Sequence, residues 1–133
     1  MSSRNEYDTA VEQKNAVITA ATITVEDHGL LSAWITLDYD GSGQGFGGFA
    51  LYAPDAKLQE PGNYCGLFIW RVLEVVGVGR WDQLVGKTIR VRATGVAVIA
   101  IGHIVKDVWF HPKDEFAKMA RSAVLWCHTG EGA

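Results

Sequence analysis

The chain has 133 residues, 48% of them hydrophobic, with 12 basic against 15 acidic side chains and a formal net charge of -3. That composition supplies a core and argues against global disorder, and the length suits one domain. The acidic balance argues against sequence-independent binding to duplex nucleic acid, which needs dense Lys/Arg contacts to phosphate. No apolar run is long enough to span a bilayer.

Residues 1–14 are polar and are expected to fray, leaving 15–133 as a single α+β ligand-binding domain. The start lacks the apolar core of a signal peptide, so an intracellular location is expected. Two cysteines, Cys65 and Cys127, are too few for a secreted disulfide scaffold.

Val17 to Glu26 is β-branched and alternating, which predicts a strand. Asp27-His28-Gly29 is turn chemistry. Leu31 to Tyr39 alternates again, with Leu31, Ala33, Ile35, Leu37 and Tyr39 on one face and Ser32, Trp34, Thr36 and Asp38 on the other. Five glycines then fall within eight residues, Gly41 to Gly48, interleaved with Ser42, Gln44 and Phe46. This stretch reads as a turn, with Gly48 to Tyr52 as a third strand of an antiparallel meander. Glycine costs backbone entropy, so such density implies close backbone approach or unusual torsions. It lacks the Lys-Ser/Thr ending of a phosphate loop. Its Gly-x-Gly spacing lies between strands, not between a strand and a crossover helix. A bulged hairpin, a subunit contact and a ligand held by main-chain amides all fit.

Pro54 to Pro61 reads as a polar loop. Asn63 to Val78 has helical spacing, with Cys65, Phe68, Ile69, Val72 and Val76 facing the sheet and Gly77 and Gly79 at the stop. Its β-branched end also fits a buried strand. Arg80 to Gly86 reads as a short helical turn. Lys87 to Ala93 alternates, with Lys87, Arg90 and Arg92 marking an exposed side. Thr94-Gly95 is a turn, and Val96 to Ile101 is a buried strand. Lys113 to Leu125 is helix-compatible, with Phe116, Met119 and Ala120 on one face. The expected fold is α+β: an antiparallel meander packed on a central helix, with a second short helix at the C-terminus.

Trp70, Arg71 and Glu74 share the helix face opposite the core stripe. A tryptophan beside an arginine can cover a base and meet a phosphate. Arg71 and Glu74 are also spaced for an ordinary ion pair worth a few tenths of a kcal/mol. His103, Asp107 and His111 can be drawn as a metal site. Pro112 interrupts that spacing, so a hydrogen-bonding or ligand-contacting histidine is the better reading and no metal is expected. Cys65 on the core stripe reads as an inert thiol. Asp38 and Asp40 share a side of their strand and read as turn chemistry. No catalytic set emerges, so no enzyme and no cofactor are expected.

Four motifs taken together resemble a family of small phage proteins. They are Asp27-His28-Gly29-Leu30-Leu31, Leu37-Asp38-Tyr39-Asp40-Gly41-Ser42-Gly43-Gln44-Gly45-Phe46-Gly47-Gly48, Phe68-Ile69-Trp70-Arg71-Val72-Leu73-Glu74-Val75-Val76-Gly77-Val78, and Ile101-Gly102-His103-Ile104 with Lys106-Asp107 and Trp109-Phe110. The family is the phage anti-Thoeris sponge family (Thoeris anti-defence protein type one). The resemblance implies a mixed α/β protein that assembles into homo-oligomers, hexamers among them. It implies capture, without cleavage, of cyclic ADP-ribose immune signals, and in some members of cyclic oligonucleotides at a separate site. The setting implied is the cytoplasm of an infected bacterium.

By position, the resemblance makes Arg71 the lead phosphate or ribose contact, flanked by Phe68 and Trp70. His103 becomes a polar contact, with Lys106, Trp109 and Arg121 as further candidates. Ser42, Gly43, Gln44 and Gly45 become a second nucleotide site or an assembly contact. Three other readings compete. One is inhibition of a host protein by direct contact. Another is a single-stranded nucleic-acid binder, which needs Lys87, Arg90 and Arg92 aligned with aromatics in one groove. The last is an enzyme acting on a nucleotide, with Asp38 or His103 as base.

Overall fold

A computed structural model describes residues 10–26, 29–49 and 64–118, with side chains from position 66 onward in the last stretch. The first three strands are β1 (Glu12–Val25), β2 (Leu31–Tyr39) and β3 (Ser42–Gly47). A helix follows, α1 (Tyr64–Val76), and then a turn of 3-10 helix over Trp81–Gln83. The chain continues through β4 (Thr88–Ala93), β5 (Val98–Gly102) and β6 (Trp109–Phe110) to a helical segment α2 over 112–118. The α+β meander on a central helix, with a short second helix, is therefore what the sequence builds.

All pairs are antiparallel, in the order β3-β2-β1-β4-β5-β6. β1 begins earlier than its alternation suggested, at Glu12, because that part of the strand has its own partner. Glu12 to Val17 pairs with β4, and Val17 to Val25 pairs with β2. The register shifts between Ile18 and Ala20. An extra residue there bends and twists the strand, so one strand serves both halves of the sheet. A meander, a helix and then two strands, with β1 between β2 and β4, curl into a partly open antiparallel barrel. β6 is an addition at one edge. β3 and β5 come within 8 Å, Cα to Cα, but share no ladder, so the barrel keeps an open seam.

The glycine-dense stretch is strand, not turn. The turn is Asp40-Gly41 alone, both at positive φ (56° and 79°), and Tyr39 pairs directly with Ser42 across it. Two residues at positive φ give the tight hairpin whose twist matches its strands. The third strand therefore starts at Ser42 and ends at Gly47; of the predicted Gly48–Tyr52, positions 50–52 lie outside the described residues.

The core fills the barrel and the space under α1. Phe68 stands at its centre, with ring centroids 6.1 Å from Phe46, 6.0 Å from Phe49 and 5.7 Å from Phe110. Ile18, Ile35, Leu37, Leu84, Ile89, Val91 and Ile101 surround these rings, all fully buried. Each such side chain contributes about 1.5–3 kcal/mol by leaving water. On α1 the buried stripe is Phe68, Val72 and Val75, with Ile69 and Val76 at its margin. The stripe is thus rotated slightly from the predicted one; the Cys65 side chain lies outside the described set. Gly77 ends the helix at φ +90°, its N–H and that of Val78 both donating to the Leu73 carbonyl. Val96 and Ile99 in the predicted buried strand are exposed, because β5 starts at Val98 and Ile99 is bulged out where the pairing with β4 shifts.

Candidate functional site: an aromatic cleft at the barrel seam

Trp34 sits on the outer face of β2, opposite Gly47 on β3. Its indole lies flat over the glycine-rich strand. A Cβ on Gly45 would fall 2.9 Å from Trp34 Cζ3, and one on Gly48 would fall 2.1 Å from Cζ2. The glycines are there because the ring occupies the space of their side chains, so ring and glycines are one feature. The indole Nε1 donates to Glu26 Oε2 at 2.9 Å, and the Ser32 hydroxyl donates to the same oxygen.

Beside this ring a cleft of about 490 Å³ runs along the open seam. Trp34, Phe46 and Phe49 form one wall, Ala97 to Ile99 the other, and His111, Pro112, Lys113 and Asp114 one end. The cleft is mostly apolar, with the Lys113 cation, the Asp114 carboxylate and the His111 imidazole at one end. A volume in the range of about 300–1,000 Å³ suits a small ligand.

Glu26 is held below the usual carboxylate range by the Ser32 hydroxyl and, second, by the Trp34 indole N–H. A depressed acid contributes while ionised, and its contribution is lost as pH falls through its folded value. Trp34 should therefore stay pinned at neutral pH and come loose only in acid below the ordinary carboxylate range. The Trp34 indole proton, followed by NMR, is expected to move in that acid range, and Glu26→Gln should abolish the transition. An unchanged transition in that variant would refute the assignment.

The predicted ligand residues separate. Phe68 is fully buried and is a core ring. Arg71 is not on an open face. Its Nε donates to Glu115 Oε1 at 3.0 Å, Nη1 to Glu74 at 2.6 Å and Nη2 to the Trp109 carbonyl at 2.6 Å. Its guanidinium also lies 5.5 Å from the Phe110 ring centroid. Burial opposes its charge, yet Glu115 and Glu74 outweigh that and hold its pKa above the ordinary guanidinium value. Arg71 thus ties α1 to β6 and α2.

Trp70, next to it, is 67% exposed. His103 organises a loop: its Nδ1 accepts from the Val105 and Lys106 amides at 3.0 and 2.9 Å. The Lys106 side chain is exposed. Trp109 lies on the outer sheet face between Arg90 and Arg92, and Arg121 falls outside the described residues.

The four residues of the glycine stretch point two ways. Gly43 and Gly45 lie under Thr36 and Trp34. Ser42 and Gln44 line a hollow of about 280 Å³ at the barrel end, with Glu12, Lys14 and Asp40. Lys14 there is already paired with Glu12 at 3.2 Å and Asp40 at 2.9 Å, which leaves little positive charge for an anion. Asp38 and Asp40 are apart in role: Asp38 faces out from β2, while Asp40 makes the turn and holds Lys14. Among the described residues no three His, Cys, Asp or Glu side chains come together as metal ligands, and no helix is long and apolar enough to cross a membrane.

Sequence reasoning missed Trp34, Phe49, His111 and Lys113 as one lining. The available signal was an exposed-face tryptophan followed by a glycine strand.

The fold and this seam define a small open antiparallel barrel with an aromatic cleft. Comparison with protein-family models, with curated proteins and with solved structures finds no match.

Proposed function

We propose that this protein is a non-enzymatic binder of a small nucleotide, which it holds intact in the seam cleft. The observation that supports this reading is the cleft itself: a fixed indole for a base, with Lys113 and His111 at the rim for phosphate. Its size favours a compact ligand over a long strand. The ligand class proposed is the cyclic ADP-ribose type that the resemblance implies, and the role is sequestration of such a signal in an infected bacterium. Arg71 is not assigned to the ligand, because its donors are used within the protein. Sequestration is stoichiometric, so affinity has to be high; a nanomolar constant corresponds to about -12 kcal/mol.

The cleft is open along one side, and a second copy of the chain is proposed to cover it. Val96, 80% exposed in the turn beside the cleft, and Trp70 on α1 supply apolar surface for that assembly.

Calorimetry of the full chain with cyclic ADP-ribose, paired with light scattering, tests this. Saturable binding by an oligomer, with the ligand recovered unchanged after heating, is expected. Trp34→Ala should weaken binding by about 2 kcal/mol, roughly thirtyfold. Lys113→Gln should weaken it in a variant with an intact barrel. Absence of binding, or turnover of the ligand, overturns the proposal.

A further inference from the structure

We propose a second anion site, on the outer face of β4, β5 and β6, that takes the phosphate backbone of a single-stranded nucleic acid. It borders the cleft at His111 but does not rest on the reading of the cleft.

Arg90 and Arg92 alternate along β4 and so share its outer face, their Cα atoms about 7 Å apart. The register sets Asn15 and Gln13 of β1 beside them on one side, and Gly102 and Ala100 of β5 on the other. Trp109 of β6 lies flat across Gly102, where a Cβ would fall 2.6 Å from the indole. Both guanidiniums rest on that ring, Arg92 at 3.9 Å and Arg90 at 5.0 Å from its centroid.

Backbone carbonyls and an imidazole fix the two arginines further. Arg90 donates through Nε to the His103 carbonyl and through Nη2 to that of Lys106, both at 2.7 Å. Arg92 Nη1 lies 3.2 Å from His111 Nε2. A guanidinium can only donate, so that imidazole nitrogen accepts.

The remaining donors, Nη1 of Arg90 and the Nε and Nη2 of Arg92, make no hydrogen bond among the described residues. No described carboxylate pairs with either arginine within 4.0 Å. In a chain with 15 acidic side chains, two cations fixed side by side with no counter-charge among the described residues are a pre-organised anion site. The two guanidiniums converge on one indole, and the extended strip of β1, β4 and β5 beside them gives a linear chain room to follow. The flanking amides of Gln13 and Asn15 and the half-buried His111 add neutral donors and an aromatic surface. Two cations are too few for a duplex, so the nucleic acid proposed is a single strand. Lys87, grouped with these arginines by sequence, precedes β4 and is not needed.

Fluorescence anisotropy with a labelled oligothymidylate of about 15 nucleotides tests the proposal. Two phosphate contacts predict a slope of about -1.4 for log affinity against log salt. Arg92→Gln should lower affinity about tenfold and flatten the slope by about 0.7, and Arg92→Lys should retain most of both. Both variants should keep near wild-type thermal midpoints, and Arg90→Gln, which removes a guanidinium that does not touch His111, should weaken oligonucleotide binding while leaving the cyclic ADP-ribose titration unchanged, which separates this site from the cleft. Binding that ignores salt, or an Arg92→Gln protein that binds as well as the parent, overturns the proposal. Displacement by inorganic phosphate or by polyglutamate as readily as by unlabelled oligonucleotide overturns it too.

Discussion

Gly47→Ala is expected to destabilise the protein by about 4 kcal/mol, a large part of the 5–15 kcal/mol that holds a typical domain together. Gly47 closes β3 at φ +119°, a region that residues with a Cβ rarely enter. A Cβ there would stand 2.3 Å from the Ala33 carbonyl oxygen and 3.1 Å from Phe68 Cζ. The first is backbone of the neighbouring strand and the second is the central ring of the core, so neither yields cheaply. Strain of this kind costs about 1–3 kcal/mol, and overpacking adds about as much. Gly43→Ala is the control. Its Cβ would meet Thr36 Cγ2 at 3.7 Å, an ordinary contact. That change should leave stability within about 1 kcal/mol of the parent. Urea unfolding of the two variants reads the difference directly, and equal midpoints would overturn this account of β3.

Arg71→Ala is expected to lower stability by about 3 kcal/mol, which in a domain of this size is roughly a 10 °C drop in thermal midpoint. The loss has a specific origin. Removing the guanidinium strands Glu115, whose side chain is 25% exposed, and leaves the Trp109 carbonyl without its donor. A half-buried charge or carbonyl without its partner costs more than the contact was worth. Arg71→Lys should recover little, since one ammonium cannot reach Glu74, Glu115 and the Trp109 carbonyl together. Scanning calorimetry decides it. An Arg71→Ala protein with the parent's midpoint would show that the arginine is not a structural tie and would return it to the ligand.

Both predictions bear on how far the sequence could be read. β2 and β4 were legible because alternation is a local signal and each buries one face. α1 was legible because Phe68 and Val72 recur at helical spacing and Gly77 stops the helix. β3 was not, because glycines carry no side chain to alternate; the informative pair was Asp40-Gly41, which marks a tight hairpin. Arg71 read as an open-face residue because its decisive partner, Glu115, lies 44 positions away.

The amino-acid order by itself determined the α+β class, the antiparallel meander and the central helix, since each depends on near neighbours. Only the tertiary structure decided that β1 bends to serve two partners, that the barrel stays open at a seam, and which side chains meet there. Trp34, Phe49, Ala97 and Lys113 line one cleft although no short-range pattern links them. The physical reason is that a cleft is made by register, twist and closure of the sheet, which appear only once all the strands have paired.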